Sequence, residues 1–582
     1  MRQQLRSWRK RPYDIAIALM MLWVVVINFE HRHWMGERVI EWDVKSYYAY
    51  LPAAFIYQDL TLEFRRDNLE KFGDLIWPVT TPTGKQAIVT SMGMSILYSP
   101  FFFIAHGVAL ITPWEADGYS PPYRFALNFS TLFYVLMGLI FLRKILLRWF
   151  TPWVTTFTLV AVFAGTNLFY YTTYEAAMSH GFNFALIAVF LYYTIRWYDA
   201  PGSAKRIAWL GLLAGLITLV RPTNIIVLIL FFLWGVDNWN AFRERFMYFI
   251  RRPALVGIMA GCFVLAWVPQ FIYWKYISGM FFYFSYGELG GGFFWHNPQI
   301  MNILVSYKKG WFVYTPLMFF AFLGIFLLPW KLRGAFLPIL LFKLVNIYIL
   351  SSWWAWWFGG GFGLRAFIDS YAIMAIPFAT LVTALSRQRK LVSYPTIGLL
   401  AVLIWFGYFQ MRQYRSGAIH WWWMNKEAYW ETFLKRRPTQ RYWDLITIPD
   451  YELARQGIYV AIKPDPPKER PREVTVDQER LRTFIMEVLA QDSLTQDVIE
   501  SQELFEQDAQ QAWIDSQTAR ILQDQERSYF FAREYLIRAI EHNMRLDPQM
   551  QEFIEKKARE QGVPVDTMFR RDAVWVYENQ RH

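Results

Sequence analysis

The chain contains a single cysteine, Cys262, set inside an apolar run. One thiol forms no intramolecular disulfide, so cysteine usage says nothing about the redox compartment. Histidine is also sparse, at eight in 582 residues. His31 and His33 are close in sequence but lack a firm third ligand, so no tight zinc motif is legible and metal need stays open. No small-residue cleavage site follows the basic N-terminus RSWRKRP and the apolar run 15–27; the next residues are NFEHRHW. That pattern predicts a retained first helix rather than a removed signal peptide. No inverted repeat is obvious, and the apolar runs carry few charges at their middles.

What is abundant is apolar and aromatic: 55% hydrophobic residues, 19% aromatic, with 29 tryptophans. Tryptophan and tyrosine concentrate where bilayer meets water. Repeated apolar runs of about 17–25 residues suit the span of a hydrocarbon core. The expected fold class is all-α, a polytopic membrane protein. From residue 474 onward there are 21 acidic and 13 basic side chains, leaving about +20 on the rest of a chain whose total is +12. The basic excess sits in short loops between spans, which marks cytoplasmic loops or contact with anionic membrane lipid and disfavours nucleic acid.

The basic segments are RKILLR (143–148), RWYDAPGSAKR (196–206), RERFMYFIRR (243–252), WKLRG (330–334) and SRQRK (386–390). Placing all of them on one side pairs the spans between them and predicts about eleven crossings. Residues 86–112 do not fit as a single crossing, and Pro100 is expected to break them, so two juxtamembrane helices are expected along the outer surface. The polar stretch 413–473, which includes PDPPKERP, reads as a connecting segment. Helical periodicity returns in 474–582, where Gly562 stands at the position of a helix C-cap, and predicts a small soluble helical module. The expected domains are 1–412, 413–473 and 474–582.

On this topology the outer loops gather charged residues. Glu41 and Asp43 lie in EWDVKSYYAYLP, just past the first apolar run, where a carboxylate beside a bilayer needs a reason to be present. Lys85 follows, then Glu175 and His180 in YEAAMSH, Arg221 and Asn224 in LVRPTN, Lys308 and Lys309 in YKKGW, and Arg365 after a glycine-rich run. A carboxylate near an acceptor hydroxyl can take its proton, and cations can hold a leaving phosphate. Arginine suits that phosphate better than lysine. Bland readings stand beside these. Asp43 could pair with Lys45 or cap a helix, Glu175 could be a satisfied intramembrane group, and Arg221 could snorkel to headgroups. Lys308 and Lys309 could be interfacial cations, His180 a hydrogen-bonded structural residue, 359–363 a flexible loop, and SSWWAWWF an aromatic belt.

The acidic first loop, TGKQAIVTSMGMSILYSPFFFIAHG, YEAAMSH, LVRPTN, YKKGWFVYTP and GGGFGLRAFIDSYAIMAIP occur in an order that resembles the GT-C superfamily of integral-membrane glycosyltransferases. Within it, the protein O-mannosyltransferases and the lipid A aminoarabinose transferase are the nearest in pattern. The resemblance covers roughly 10–412; the C-terminal portion is similar to that of Bacteroidetes-type relatives. It implies a polyprenyl-phosphate-linked sugar donor, a protein, glycan or lipid acceptor, and inverting transfer on the periplasmic face of a bacterial inner membrane. It implies that Asp43 is the catalytic base, Glu175 a second acid, and Lys85 and Arg365 donor-phosphate cations. The pair here is Glu41-x-Asp43 where relatives carry adjacent acids, which leaves Glu41 a helper or a structural carboxylate. The alternatives are a transporter or flippase for a lipid-linked or anionic solute, and a non-catalytic assembly protein.

Overall fold

The computed structural model describes residues 11–36, 39–289, 291–463, 476–491, 495, 507–523, 525–561 and 563–579. The PDPPKERP stretch and Gly562 lie outside the described residues. The chain divides into two compact units, Met1–Lys463 and Pro464–His582.

In the first unit the longer helices are, in order, α1 (Pro12–His31), α2 (Asp43–Phe55), α3 (Gly93–Leu110), α4 (Pro121–Leu146), α5 (Pro152–Ala164), α6 (Ser179–Asp199), α7 (Ala204–Val220), α8 (Trp239–Ile250), α9 (Pro253–Ser278), α10 (Arg333–Ser352), α11 (Tyr371–Ser386) and α12 (Lys390–Arg415). Four of them, α1, α4, α5 and α9, start on a proline in the first turn. There the missing N–H leaves no hydrogen bond unmade and the fixed φ favours the helix. A short antiparallel hairpin, β1 (Pro78–Thr80) with β2 (Gln86–Ile88), sits between α2 and α3.

The fold is all-α and multi-pass. Among the described residues, seven stretches are long and apolar enough to cross a bilayer: Pro12–Met35, α3, α4, α9, α10, Arg365–Ser386 and α12. The loops predict about eleven crossings, and two of those expected spans depart from a continuous membrane-length helix. Helix α5 has 13 residues, about 20 Å at 1.5 Å per residue, short of a hydrocarbon core of about 30 Å. The expected span 311–330 is cut into Trp311–Tyr314, Leu317–Ile325 and Leu328–Lys331. Pro316 lies at the first break and has no N–H to continue a helix. Pro100, expected to break its segment, instead lies inside the continuous helix α3. A proline removes one ladder bond, and here Leu97, Tyr98, Phe102 and Ala105 are buried on either side of it and hold the helix together. Residues 93–110 thus form one helix long and apolar enough to cross, not the two juxtamembrane helices expected over 86–112, and α2 and the hairpin precede it.

Residues 413–463, read from sequence as part of a connecting segment, are built into the first unit. Gln410 Nε2 donates to the Tyr429 hydroxyl (2.9 Å) and Gln413 Nε2 to the Thr432 carbonyl (2.8 Å). The second unit contains five helices among the described residues, Gln478–Gln491, Gln507–Gln523, Gln525–Leu546, Pro548–Gln561 and Val565–Asn579. Its core holds Ile537, Ile554, Ala558 and Phe569, flanked by Arg570–Glu534 and Lys557–Asp572 ion pairs.

Helices α7 and α9 come unusually close, and two glycines four residues apart allow it. A Cβ at Gly211 would lie 2.3 Å from the Met259 carbonyl oxygen, and one at Gly215 2.6 Å from that of Phe263. Small residues at this spacing let helix backbones approach in a membrane. Gly215→Val is expected to destabilise the protein by about 1–3 kcal/mol through overpacking, read as a lower melting temperature in detergent. Gly257→Ala, on the open side of α9 where a Cβ meets nothing within 4 Å, is expected to leave the melting temperature unchanged.

Candidate active site

Asp43 is the first residue of α2. Its carboxylate accepts a hydrogen bond from Arg365 Nη2 at 2.8 Å, across 322 residues of sequence. The two partners are unequal: the Asp43 side chain is 42% exposed and that of Arg365 14%. Arg365 opens the 3₁₀ turn Arg365–Ser370 that leads into α11. Its Nε has no hydrogen-bond partner. A guanidinium presents five donors in a fixed fork, and Nη2 is the one that holds the carboxylate.

Three further charges surround this pair. Glu175, in the loop before α6, accepts a hydrogen bond from the Tyr170 hydroxyl at 3.0 Å. Burial pushes its pKa up, while the fields of Arg365 and Lys309 oppose the rise. Lys309 is buried and donates to the carbonyls of Gly361 and Trp421, the latter at 2.7 Å. Its ammonium thus fastens the glycine-rich loop to the Trp421 strand of chain. Lys308 lies 5.0 Å over the Trp357 ring. Burial lowers both lysines to about 7. Gly361 (φ +134°) fits where no side chain could, because a Cβ there would lie 2.4 Å from the Tyr171 hydroxyl oxygen. That same oxygen accepts the Phe362 N–H at 3.1 Å. The run 359–363 is a shaped loop, so its glycines serve geometry here.

A second cluster centres on Asp369, in the same turn as Arg365. Its carboxylate accepts from Asn224 Nδ2 (2.7 Å) and Asn183 Nδ2 (3.2 Å), faces His180 Nδ1 at 3.3 Å, and pairs with Arg221 at 3.6 Å. Tyr47 on α2 bridges the two clusters: its hydroxyl lies 3.4 Å from Ser179 Oγ, within the fields of Asp43, Arg221 and Arg365. The turn is fastened from its other side by buried Lys343 of α10. Its ammonium lies 3.1 Å from Ser370 Oγ and 3.2 Å from Asn346 Oδ1, between the rings of Trp311 (3.8 Å) and Phe367 (3.7 Å).

Of the residues singled out from sequence, the structure gathers Asp43, Glu175, Lys309 and Arg365 in one cluster and His180 and Arg221 in the adjoining one. Two fall elsewhere. Lys85 is exposed, donates to the Tyr276 carbonyl at 3.3 Å and lies 4.3 Å over the Tyr276 ring. No described contact joins it to Asp43 or Arg365. An ammonium at a hairpin end is satisfied by the nearest carbonyl and ring, here at the C-terminus of α9. Glu41 accepts the Val44 N–H at its backbone carbonyl (3.0 Å), and among the described residues its side chain forms no ion pair. Asp369 was missed because it stands inside an apolar run as an ordinary span boundary. The signal was an aspartate four residues after Arg365 in LRAFIDS. Among the described residues, no three His, Cys, Asp or Glu side chains group as metal ligands. His31 and His33 stack on each other with ring centroids 5.5 Å apart.

Fold and site together define a multi-pass helical membrane protein with a charged cluster gathered from its loops. No family model matches the chain, and no curated protein matches it. Among solved structures it is similar to ArnT from Cupriavidus metallidurans bound to undecaprenyl phosphate (TM-score 0.37, 14% identity, 69% of this chain and 64% of that one). It is also similar to the archaeal oligosaccharyltransferase AglB from Archaeoglobus fulgidus, in complex with an inhibitory peptide and a dolichol-phosphate (TM-score 0.37, 12% identity, 83% of this chain and 59% of that one). The chain thus spans less than two thirds of the length of either.

Asp369→Ala leaves Arg221 buried without its carboxylate. Breaking a buried pair in this way is expected to cost about 3–5 kcal/mol, measured as reduced thermal stability in detergent, with Asp369→Asn intermediate because it keeps the hydrogen-bond acceptor.

Proposed function

We propose that the protein is an inverting glycosyltransferase that moves a sugar from a polyprenyl-phosphate donor to a hydroxyl acceptor on protein, glycan or lipid. The observation that carries this reading is the Asp43–Arg365 pair: a half-exposed carboxylate held by an arginine whose buried Nε has no hydrogen-bond partner. Asp43, held in place by the guanidinium, takes the proton of the acceptor hydroxyl as its oxygen attacks the anomeric carbon. The C–O bond to phosphate breaks as the new glycosidic bond forms, which inverts the centre. The departing phosphate meets the positive field of Arg365, with Lys308, Lys309 and Arg221 adding to it in a region of low dielectric. Glu175 and Asp369 keep those cations from repelling one another when no phosphate is present.

The basic loops favour a site on the periplasmic side of a bacterial inner membrane, with the second unit on that side as an accessory module. A transporter or flippase reading has one observation in its favour: the helix broken over Trp311–Lys331 beside the buried charge of Lys343. Flux of a labelled lipid-linked solute through reconstituted vesicles, without chemical conversion, would support that reading.

Asp43→Asn is expected to lower kcat by about 10²–10⁴ through loss of the base, with undecaprenyl phosphate binding retained. Full transfer by the purified variant, supplied with a prenyl-phosphate sugar, would sink the assignment. The lysines give a pH signature. With both lowered to about 7, each is charged below that pH and neutral above it. Affinity for undecaprenyl phosphate is therefore expected to fall as pH rises from 6 to 8, and Lys308→Met is expected to flatten the profile.

A further inference from the structure

Trp42, the chain neighbour of half-exposed Asp43, meets two other indoles. Trp42 is 57% exposed, Trp77 42% and Trp421 39%. The ring of Trp42 stands 6.1 Å from that of Trp77, at 72°, and 5.9 Å from that of Trp421, at 37°. They come from three separate parts of the chain, so no single helix face explains their meeting. Lys45 lies 4.5 Å over the Trp77 ring and puts an ammonium on the same rim. Trp42 directly precedes Asp43 and has φ +51°. A bulky residue in that region is an outlier, and such strain persists where surrounding structure holds a side chain for a purpose. Trp421 is held in turn: its carbonyl takes the Lys309 ammonium and the Gly361 N–H, and its ring leaves no room for a Cβ at Gly360.

Three exposed indoles cost solvation unless something covers them. An interfacial aromatic belt would turn them toward headgroups. These instead meet one another at Trp42, the residue before Asp43, with the Lys45 ammonium over Trp77. The geometry points to a saccharide-binding platform: we infer that the acceptor is a glycan whose sugar ring stacks on Trp42 between Trp77 and Trp421. One face of a pyranose presents C–H groups of slight positive charge, which suit the negative face of an indole, while its hydroxyls reach Asp43 and Lys45. Rigid aromatic rings supply that contact at small entropic cost. This inference rests on the transferase reading above and narrows its acceptor class.

The test uses purified full-length protein in detergent and a panel of neutral gluco-, manno-, galacto- and N-acetylglucosamine oligosaccharides, followed by intrinsic tryptophan fluorescence. A serine/threonine peptide and undecaprenyl phosphate serve as separate arms. At least one oligosaccharide is expected to bind. Trp42→Ala is expected to weaken that binding by about tenfold, the loss of one stacked contact, and Trp42→Phe to restore most of it. Undecaprenyl phosphate affinity is expected to be the same in both variants. The inference is overturned if no saccharide binds the wild type, if Trp42→Ala binds as well as wild type, or if the peptide alone depends on Trp42. A wild-type protein that binds saccharide but no undecaprenyl phosphate overturns the donor assignment and leaves the platform standing.

Discussion

The contact between Asp43 and Arg365 organises much of what surrounds it. A guanidinium so little exposed needs a counter-charge and hydrogen bonds, and Asp43 supplies the nearest of both. Arg365 shares the turn Arg365–Ser370 with Asp369, so one short piece of backbone orients a cation toward the mouth and a carboxylate toward the helices. Lys343, wedged between Trp311 and Phe367, holds that turn from behind. A shift of the turn would disturb both clusters at once.

The charges nearly balance. Asp43, Glu175 and Asp369 face Arg365, Lys309 and Arg221, with Lys308 the added cation. In a low-dielectric surrounding, a set of this kind persists only when paired and hydrogen-bonded. A slight positive excess beside a half-exposed carboxylate is what an anionic leaving group and a neutral nucleophile require together. Backbone carbonyls do part of the same work: those of Gly361 and Trp421 satisfy Lys309, so the glycine-rich loop and the tryptophan rim are held by one ammonium.

Much of this was legible from residue order, and the rest failed for identifiable physical reasons. The helical membrane class followed from apolar run length, and the weight on Asp43 from a carboxylate beside a span. Its partner could be guessed only as one cation among several, because a pair 322 residues apart leaves no local pattern. Lys85 was weighted by its loop, yet a hairpin end offers it the Tyr276 carbonyl and ring first. Asp369 hid in an apolar context, where its four partners come from α6 and from the turn that follows α7. Two expected spans differ from a continuous membrane-length helix: 152–164 is apolar but short, and 311–330 is interrupted at Pro316.

The long separation within the Asp43–Arg365 contact also bears on biosynthesis. A ribosome adding about 5–20 residues per second needs roughly 16–64 s to cover the distance between the two side chains. Throughout that interval Asp43, which remains half-exposed even in the finished protein, can be solvated by water. The buried Arg365 emerges last and must find its partner already inserted. Maturation of the site is therefore gated by arrival of the segment that carries α11, and a nascent chain stalled before it would carry the carboxylate without the guanidinium that holds it.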